Sequence, residues 1–514
     1  MSTRSYNSYI TRTTTALRQH PLFEKIVVVG GAVALGVAGG AAVAFGPFWA
    51  GFIVLIALAC GYALMVNTNV GLLAAVFIAT ILPFGTLPFR AVVTPNFLTL
   101  ALLALFAVWF LRLLLRPDES LHLSYLGLPI LGFLGLTFFS FLLGSNASPS
   151  SLLLHNYFKF LLGVTFFFSV INCIRSREQA RFMLRIVIIG GGVSAAIGLI
   201  LYVMNDETAL RLLVALGRIG YPTSGRVLRY IEDDTSGIER AIGLAVDPNS
   251  FGGMLALVAA ITAPQLLTKN PILPRWMLIS IVGIMFLALF LTYSRAALGG
   301  LIVATMYVAT IRYRRLWWAI LGAGALAGVL LIGLGLGEQF VQRITDGVQF
   351  RDQANQMRLA EYRNAIEVIQ AYPVFGIGFG QAPELDLVAG VSSIYLAIGQ
   401  RTGLVGLFAF LAIMAIFFVR SWQSLHRFAV RGVEEYAGWL VGIQAGIAAA
   451  LAVGLLDHYF FNIEFSHMSA LLWGSIGLAI AIEHLANREE SVHDESIEQL
   501  EVTRAPQGTK SHAV

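Results

Sequence analysis

The sequence predicts an all-α integral membrane protein of about fourteen transmembrane helices, within a range of roughly 12–14, with a large external loop that contains an amphipathic helix. Three observations carry that prediction. Of 514 residues, 57% are hydrophobic and only 12% charged, with a mean hydropathy of +0.77, whereas soluble domains hold about 45–50% apolar and about 25% charged residues. The apolar residues form continuous Leu/Ala/Val/Gly/Phe runs of the roughly 20 residues a spanning helix needs, not the alternating segments of about ten residues that build a barrel. Between the runs, clusters of cations in short loops recur at intervals that put the clusters on one side of a membrane.

The elements follow in order. Residues 1–24 are a polar, Ser/Thr/Arg-rich cytoplasmic segment; the run after it is long enough to span, so it reads as a retained first helix and not a cleaved signal. The N-terminal transmembrane region, 25–204, holds runs at 25–45, 48–66, 70–87, 97–115, 126–144, 152–173 and 182–204. An external loop, 205–249, leads to a central region, 250–336, with runs at 250–268, 275–293, 296–312 and 316–336. The large external loop is 337–401, and a C-terminal region, 402–485, holds runs at 402–420, 436–456 and 465–484. The last segment, 486–514, is polar, acidic and aromatic-free, which predicts a disordered cytoplasmic tail.

The clusters Arg4/Arg12/Arg18/Lys25, Arg112/Arg116, Arg175/Arg177/Arg181, Lys269/Arg275, Arg312/Arg314/Arg315 and Arg420/Arg427/Arg431 fall on one side when all these helices are counted. The positive-inside rule then puts both termini in the cytoplasm and the chain in the cytoplasmic, or inner, membrane as a multi-pass protein. The formal charge of +5 therefore reports orientation, and no nucleic-acid partner is expected. Cys60 and Cys173 lie far apart in apolar runs, as packing residues do. No metal-ligand spacing is present, and no cofactor is expected.

The external segments hold Arg211, Arg218, Arg226, Arg229, Arg240, Arg343, Arg351, Arg358, Arg363 and Arg401, and no lysine. Guanidinium matches phosphate and carboxylate oxygens with a planar fork, so an anionic ligand is indicated. Most of these arginines also have local carboxylates to pair with, such as Glu232, Asp233, Asp234, Glu239 and Asp352. Arg240, ahead of the run Gly243 to Asn249 that opens a helix, Arg295, in the break after Tyr293-Ser294, and Lys159, inside an apolar run one turn below His155 and Asn156, are harder to explain that way. Charge at membrane depth points to function. In the large loop, Leu359, Tyr362, Ile366 and Ile369 share a helical face, with Arg358, Glu361, Asn364 and Glu367 around the other, and the helix stops at Tyr372-Pro373. Gly376-Ile377-Gly378-Phe379-Gly380 follows no strand, so a tight backbone turn is favoured over a nucleotide loop. His458 and His467, with Asp457 and Glu464 nearby, either cap and solvate the membrane edge or supply a general base.

Together these pieces resemble the O-antigen ligase and polymerase superfamily of membrane glycosyltransferases. The resemblance runs over roughly 150–485: Arg240-x-x-Gly243 with Asp247-Pro248-Asn249, Thr292-Tyr293-Ser294-Arg295, Arg358 with Arg363 to Gln370 and Pro373-x-x-Gly376-x-Gly378-x-Gly380, and Gly403-Leu404-Val405-Gly406 each resemble a family segment. One departure stands out. Ser392-Ser393-Ile394-Tyr395-Leu396 occupies the place of a family histidine, and serine is no base without an activating partner; Glu384, Asp386 and His458 are the candidates to replace it.

The resemblance implies transfer of glycan from a polyprenyl diphosphate donor to a sugar hydroxyl on a growing polysaccharide or another lipid-linked acceptor, without metal or nucleotide, among membrane lipids. Arg240, Arg295, His458 and Glu384 are then the expected catalytic groups, and Asn249, Arg358, Arg363, Lys159 and Ser392 the expected substrate-binding ones. Polymerase and ligase remain open, with the missing histidine and the helix count tilting toward an O-antigen or exopolysaccharide polymerase. A transporter or flippase of lipid-linked oligosaccharide is the alternative from another class, although no internal repeat of the kind common in transporters is visible. A noncatalytic scaffold leaves Lys159 and Arg295 without a purpose.

Overall fold

The computed structural model describes residues 61–64, 67–87, 96–115, 121–144, 149–223, 225–231, 234–333, 353–380, 391–430 and 433–504. The expected helix at 25–45 and nearly all of that at 48–66 lie outside them. The chain is helical almost throughout. First come α1 (Thr68–Ile81), α2 (Phe97–Leu115), α3 (Gly127–Gly144), α4 (Ser151–Cys173) and α5 (Arg177–Val203). A short helix, α6 (Asp206–Ala215), and an antiparallel pair, β1 (Arg229–Tyr230) and β2 (Glu239–Arg240), follow. Next are α7 (Pro248–Thr262), α8 (Arg275–Leu291), α9 (Arg295–Ile311), α10 (Leu316–Gly333) and α11 (Gln353–Ala371), and finally α12 (Ile394–Val430), α13 (Glu434–Val453) and α14 (Ser466–Arg504).

Eight of these helices, α2 to α5, α7 with its 3-10 extension, α12, α13 and α14, are long and apolar enough to cross a membrane, and α1, α8, α9 and α10 are apolar but shorter. Each coincides with one of the predicted runs. Leu128, Phe138, Leu142, Phe286, Phe408 and Trp318 are among many large apolar side chains left exposed. In water such a surface is unstable; against lipid tails it is the expected one. The protein is a multi-pass, all-α membrane protein.

α13 is the centre of the bundle, packed on by α7, α9, α12 and α14, with Tyr436 and Trp439 fully enclosed. Close approach to α7 depends on small residues: a Cβ on Gly442 would sit 2.6 Å from the Ile261 carbonyl oxygen. α4 lies along α14. The cation clusters gather at one end of this bundle, where Arg177 and Arg181 both bind Glu435, Lys269 binds Glu434 at 2.9 Å, and Tyr436 donates to Glu489 at 2.6 Å. Arg240, Asn249, Thr292, Ser392, Asp457 and His458 lie near the opposite ends of the helices they join.

Three local expectations change. Helix α12 begins at Ile394, not near 402, and carries a break at Gly403, whose φ of 68° and ψ of −174° are non-helical. The break forms because the turn 373–380 packs against the backbone there: Leu404 N donates to Pro373 O at 2.7 Å, and Ile377 N and Gly378 N donate to Gln400 O and Arg401 O. Second, α14 runs on to Arg504 where a disordered tail is expected; 486–504 is rich in Glu and has no Gly or Pro before Pro506, so nothing local stops the helix. Third, α11 buries Ala365 and Val368 and leaves Ile366 46% exposed. Its packed face is therefore turned from the expected one, and Arg358 and Glu361 lie on it because polar partners await them there.

Candidate active site

The loop 205–249 folds into a small unit of its own, with Leu201, Ala209, Leu213, Tyr221, Val227, Leu228 and Ile242 as its core. Its two-residue ladder pairs Arg229 with Arg240 and Tyr230 with Glu239, which fixes the direction in which Arg240 leaves the strand. Arg240 then closes the C-terminal end of α8: its Nε donates to the Thr292 carbonyl at 2.8 Å, and Ala241 N donates to Leu291 O at 2.9 Å. Carbonyls at a helix end need such donors. The other arm of the same guanidinium donates to Asn249 Oδ1 at 2.7 Å.

Asn249 is held by the cap of α7. Asp247 Oδ1 accepts from Asn249 N at 2.8 Å and Ser250 N at 3.0 Å, with Pro248 at the first helical position, the arrangement that favours a helix start. Val246, beside Asp247, has φ 68°, and Tyr293, beside Thr292, has φ 52°; among the described residues they are the non-glycine residues with positive φ. Such conformations cost of order 1–3 kcal/mol each and cluster at functional sites. Here Tyr293 adjoins Thr292, whose carbonyl Arg240 holds, and Val246 adjoins Asp247, which caps the turn that presents Asn249.

The third wall comes from the loop between α13 and α14. Asp457 is 3% exposed, and its Oδ1 lies 3.8 Å from the Arg358 guanidinium of α11. Its Oδ2 has no hydrogen-bond partner among the described residues. Burial, more than any neighbour, pushes this carboxyl up to about 7; Asp247 and Glu361 add to the rise, and Arg358 and Arg240 oppose it. Burial likewise lowers Arg240, against the pull of Asp247, Asp457 and Tyr459. It also raises the Tyr459 phenol, which hydrogen-bonds Asp247. His458 stacks on Tyr459 with ring centroids 4.8 Å apart, and burial lowers its pKa, leaving a neutral imidazole with an unpartnered Nδ1 among the described residues.

Ser392 joins this wall through its backbone. Its N–H donates to Glu361 Oε2 at 2.9 Å, and the Tyr362 hydroxyl lies 2.9 Å from Ser392 O and 3.1 Å from Leu455 O. Beneath, Phe160 meets Phe461 at 5.2 Å and Phe379 at 5.9 Å, so the glycine turn and the 454–465 loop share one aromatic floor. The turn uses positive φ at Gly376 and Gly378 and holds Arg401, whose Nη1 lies 3.2 and 3.3 Å from the Gly378 and Gly380 carbonyls.

The structure thus brings Arg240, Asn249, Arg358, His458 and Ser392 to one end of the bundle. Lys159 sits to the side, its ammonium within electrostatic reach of Glu464 and His467. Arg295 opens α9 after the Ser294 cap and is exposed. Arg363 is exposed on the outer face of α11. Glu384 and Asp386 lie outside the described residues. Asp247, Tyr362, Tyr459 and above all Asp457 also belong to the cluster; of these the sequence links only Asp457 to a general base, as a neighbour of His458 at the end of an apolar run. Among the described residues no group of three or more His, Cys, Asp or Glu side chains is placed to hold a metal ion.

Residues 280–411 match the family model described as O-antigen ligase. This segment supports the resemblance to the O-antigen ligase and polymerase superfamily. The ligase-family segment spans about a quarter of the chain and takes in Thr292, Arg295, Arg358 and Ser392, while Arg240, Asn249, Asp457 and His458 pack onto it from either side. A search of curated proteins returns no match. The ligase-family segment and the apolar helices together support, in general terms, a membrane glycosyltransferase of the O-antigen ligase and polymerase type.

Proposed function

We propose that this protein transfers glycan from a polyprenyl diphosphate carrier to a sugar hydroxyl at the outer face of the cytoplasmic membrane, and that it polymerises repeat units in preference to ligating finished polymer. The observation that carries this reading is Arg240, held rigidly by Thr292 O and Asn249 Oδ1 in a half-buried cluster with Arg358, at the end of the bundle remote from the cation-rich loops. A diphosphate leaving group gains negative charge as its bond to the sugar breaks. Fixed cations in a poorly solvated site stabilise that charge more in the transition state than in the ground state. Arg240 and Arg358 are the groups for this work, with Arg295 and Lys159 reaching the same ligand from the edge. The prenyl chain lies among the exposed apolar helix faces, and the sugars project beyond the bundle end.

The absent histidine at Ser392 and the number of apolar runs favour a polymerase of capsule, O-antigen or exopolysaccharide. The deciding experiment is the length of the glycan left on the polyprenyl carrier in a strain lacking this protein, with the membrane face on which it accumulates. Single repeat units stranded outside are the expected result. Long lipid-linked polymer outside makes the protein a ligase, and single units retained inside make it a flippase and overturn the enzymatic reading.

A further inference from the structure

We propose that Asp457 is the general base that takes the proton of the acceptor hydroxyl, an assignment that rests on the glycosyl-transfer reading and deepens it. The starting observation is a carboxylate oxygen with nothing to do. Asp457 is almost fully enclosed, its Oδ1 stands 3.8 Å from Arg358, too far for a good hydrogen bond, and its Oδ2 has no partner among the described residues. A buried polar atom without a partner is costly and calls for an explanation; an arriving hydroxyl supplies one.

The neighbouring groups are otherwise occupied. Asp247 accepts from two backbone N–H groups and from Tyr459, so its oxygens are already engaged. Glu361 accepts the Ser392 N–H at 2.9 Å. Glu464 is exposed, toward Lys159. Glu483 also has an unpartnered oxygen, but it bonds Tyr125 at 3.3 Å, more than four turns along α14 from its start. The groups facing Asp457 are Arg358, Glu361 and Tyr362 from α11, Asp247 from the α7 cap, Arg240 from β2, and His458 and Tyr459 from its own loop. Burial holds Asp457 at about 7, where a base is ionised at working pH and still accepts a proton readily.

In the transfer step the acceptor oxygen forms the new bond to the anomeric carbon while the bond from that carbon to the diphosphate oxygen breaks, its electron pair leaving with the diphosphate. The acceptor's proton goes to Asp457 Oδ2. Arg358 then has two tasks: it keeps Asp457 ionised in an enclosed site, and it faces the charge developing on the leaving group.

The test uses the full-length protein in vesicles of bacterial phospholipid, with the lipid-linked saccharides extracted from membranes of the deletion strain as probe. Wild-type protein consumes them with a rate that rises with pH through a midpoint near 7 and levels off above it. Asp457→Asn is expected to lose a hundredfold or more in rate while its thermal shift on adding the probe is retained. Asp457→Glu keeps partial activity and Arg358→Gln moves the rising limb to higher pH, changes that a merely structural role would not make. Asp457→Asn with more than a third of wild-type activity overturns the assignment, as does a rising limb that stays in place in both Asp457→Glu and Arg358→Gln. A rising limb that instead disappears in His458→Gln assigns the proton to the imidazole and overturns it too. If wild-type protein leaves the saccharides unchanged, the glycosyl-transfer reading fails and this assignment fails with it.

Discussion

Arg240 and Asn249, nine residues apart, are joined at 2.7 Å, and the same guanidinium holds the Thr292 carbonyl 52 residues further on. One side chain therefore ties three chain segments together: the end of a β-ladder, the start of α7 and the break between α8 and α9. Its orientation is set by hydrogen bonds to neutral groups, which leaves its charge for a ligand.

Arg240→Ala is expected to lower turnover of lipid-linked saccharide by roughly a hundredfold or more, about 3 kcal/mol of transition-state stabilisation. Arg240→Lys is expected to recover little of it, because an ammonium cannot hold two acceptors in the geometry of a planar fork. Arg295→Ala is the companion measurement: activity within a few-fold of wild type removes Arg295 from the diphosphate site.

Gly403→Ala is expected to destabilise the protein by about 3 kcal/mol or more. Residue 403 has φ 68° and ψ −174°, a region open essentially to glycine, and a Cβ there would lie 2.2 Å from the Val374 carbonyl oxygen. Thermal unfolding in detergent reads the loss, and an unchanged Tm contradicts the backbone clasp between the glycine turn and α12.

The pH dependence of stability should reveal Glu239. Burial and the nearby Asp206 push its carboxyl up from 4.5 to about 7. A carboxyl whose folded pKa is raised binds more protons folded than unfolded between those values, so its contribution is fully present below 4.5 and is lost as pH rises toward 7. The group is half exposed, and solvent screening reduces the effect to about 1 kcal/mol. Glu239→Gln is expected to flatten that part of the Tm profile; a profile that falls just as steeply in the variant assigns the effect elsewhere.

Glu435→Ala is expected to cost roughly 2 kcal/mol. Glu435 is nearly buried and takes both Arg177 and Arg181, whose guanidiniums also lie 5.8 Å from the rings of Tyr436 and Trp439. The loss should appear in Tm with catalytic turnover unchanged below the transition, because this contact sits at the end of α13 away from Arg240. A selective loss of turnover contradicts that separation.

The sequence alone determined the solvent, the helical class and the position of most helices, because a membrane admits few backbone solutions and each demands a long apolar run. It also marked Arg240, since charge beside membrane segments is costly enough to stand out, and Asn249 and Arg358 through the segments that resemble the family. Only the tertiary structure decided which of the outer arginines share a site, leaving Arg363 exposed on α11 and turning Arg358 inward. It also singled out Asp457 from the carboxylates and histidines that the sequence groups there, through its enclosure by α7, α11 and the loop before α14. The physical reason is that helical periodicity reports which face is apolar, whereas a site at a bundle end is assembled from loop and cap residues that obey no period. Their partners are set by the three-dimensional meeting of segments hundreds of residues apart.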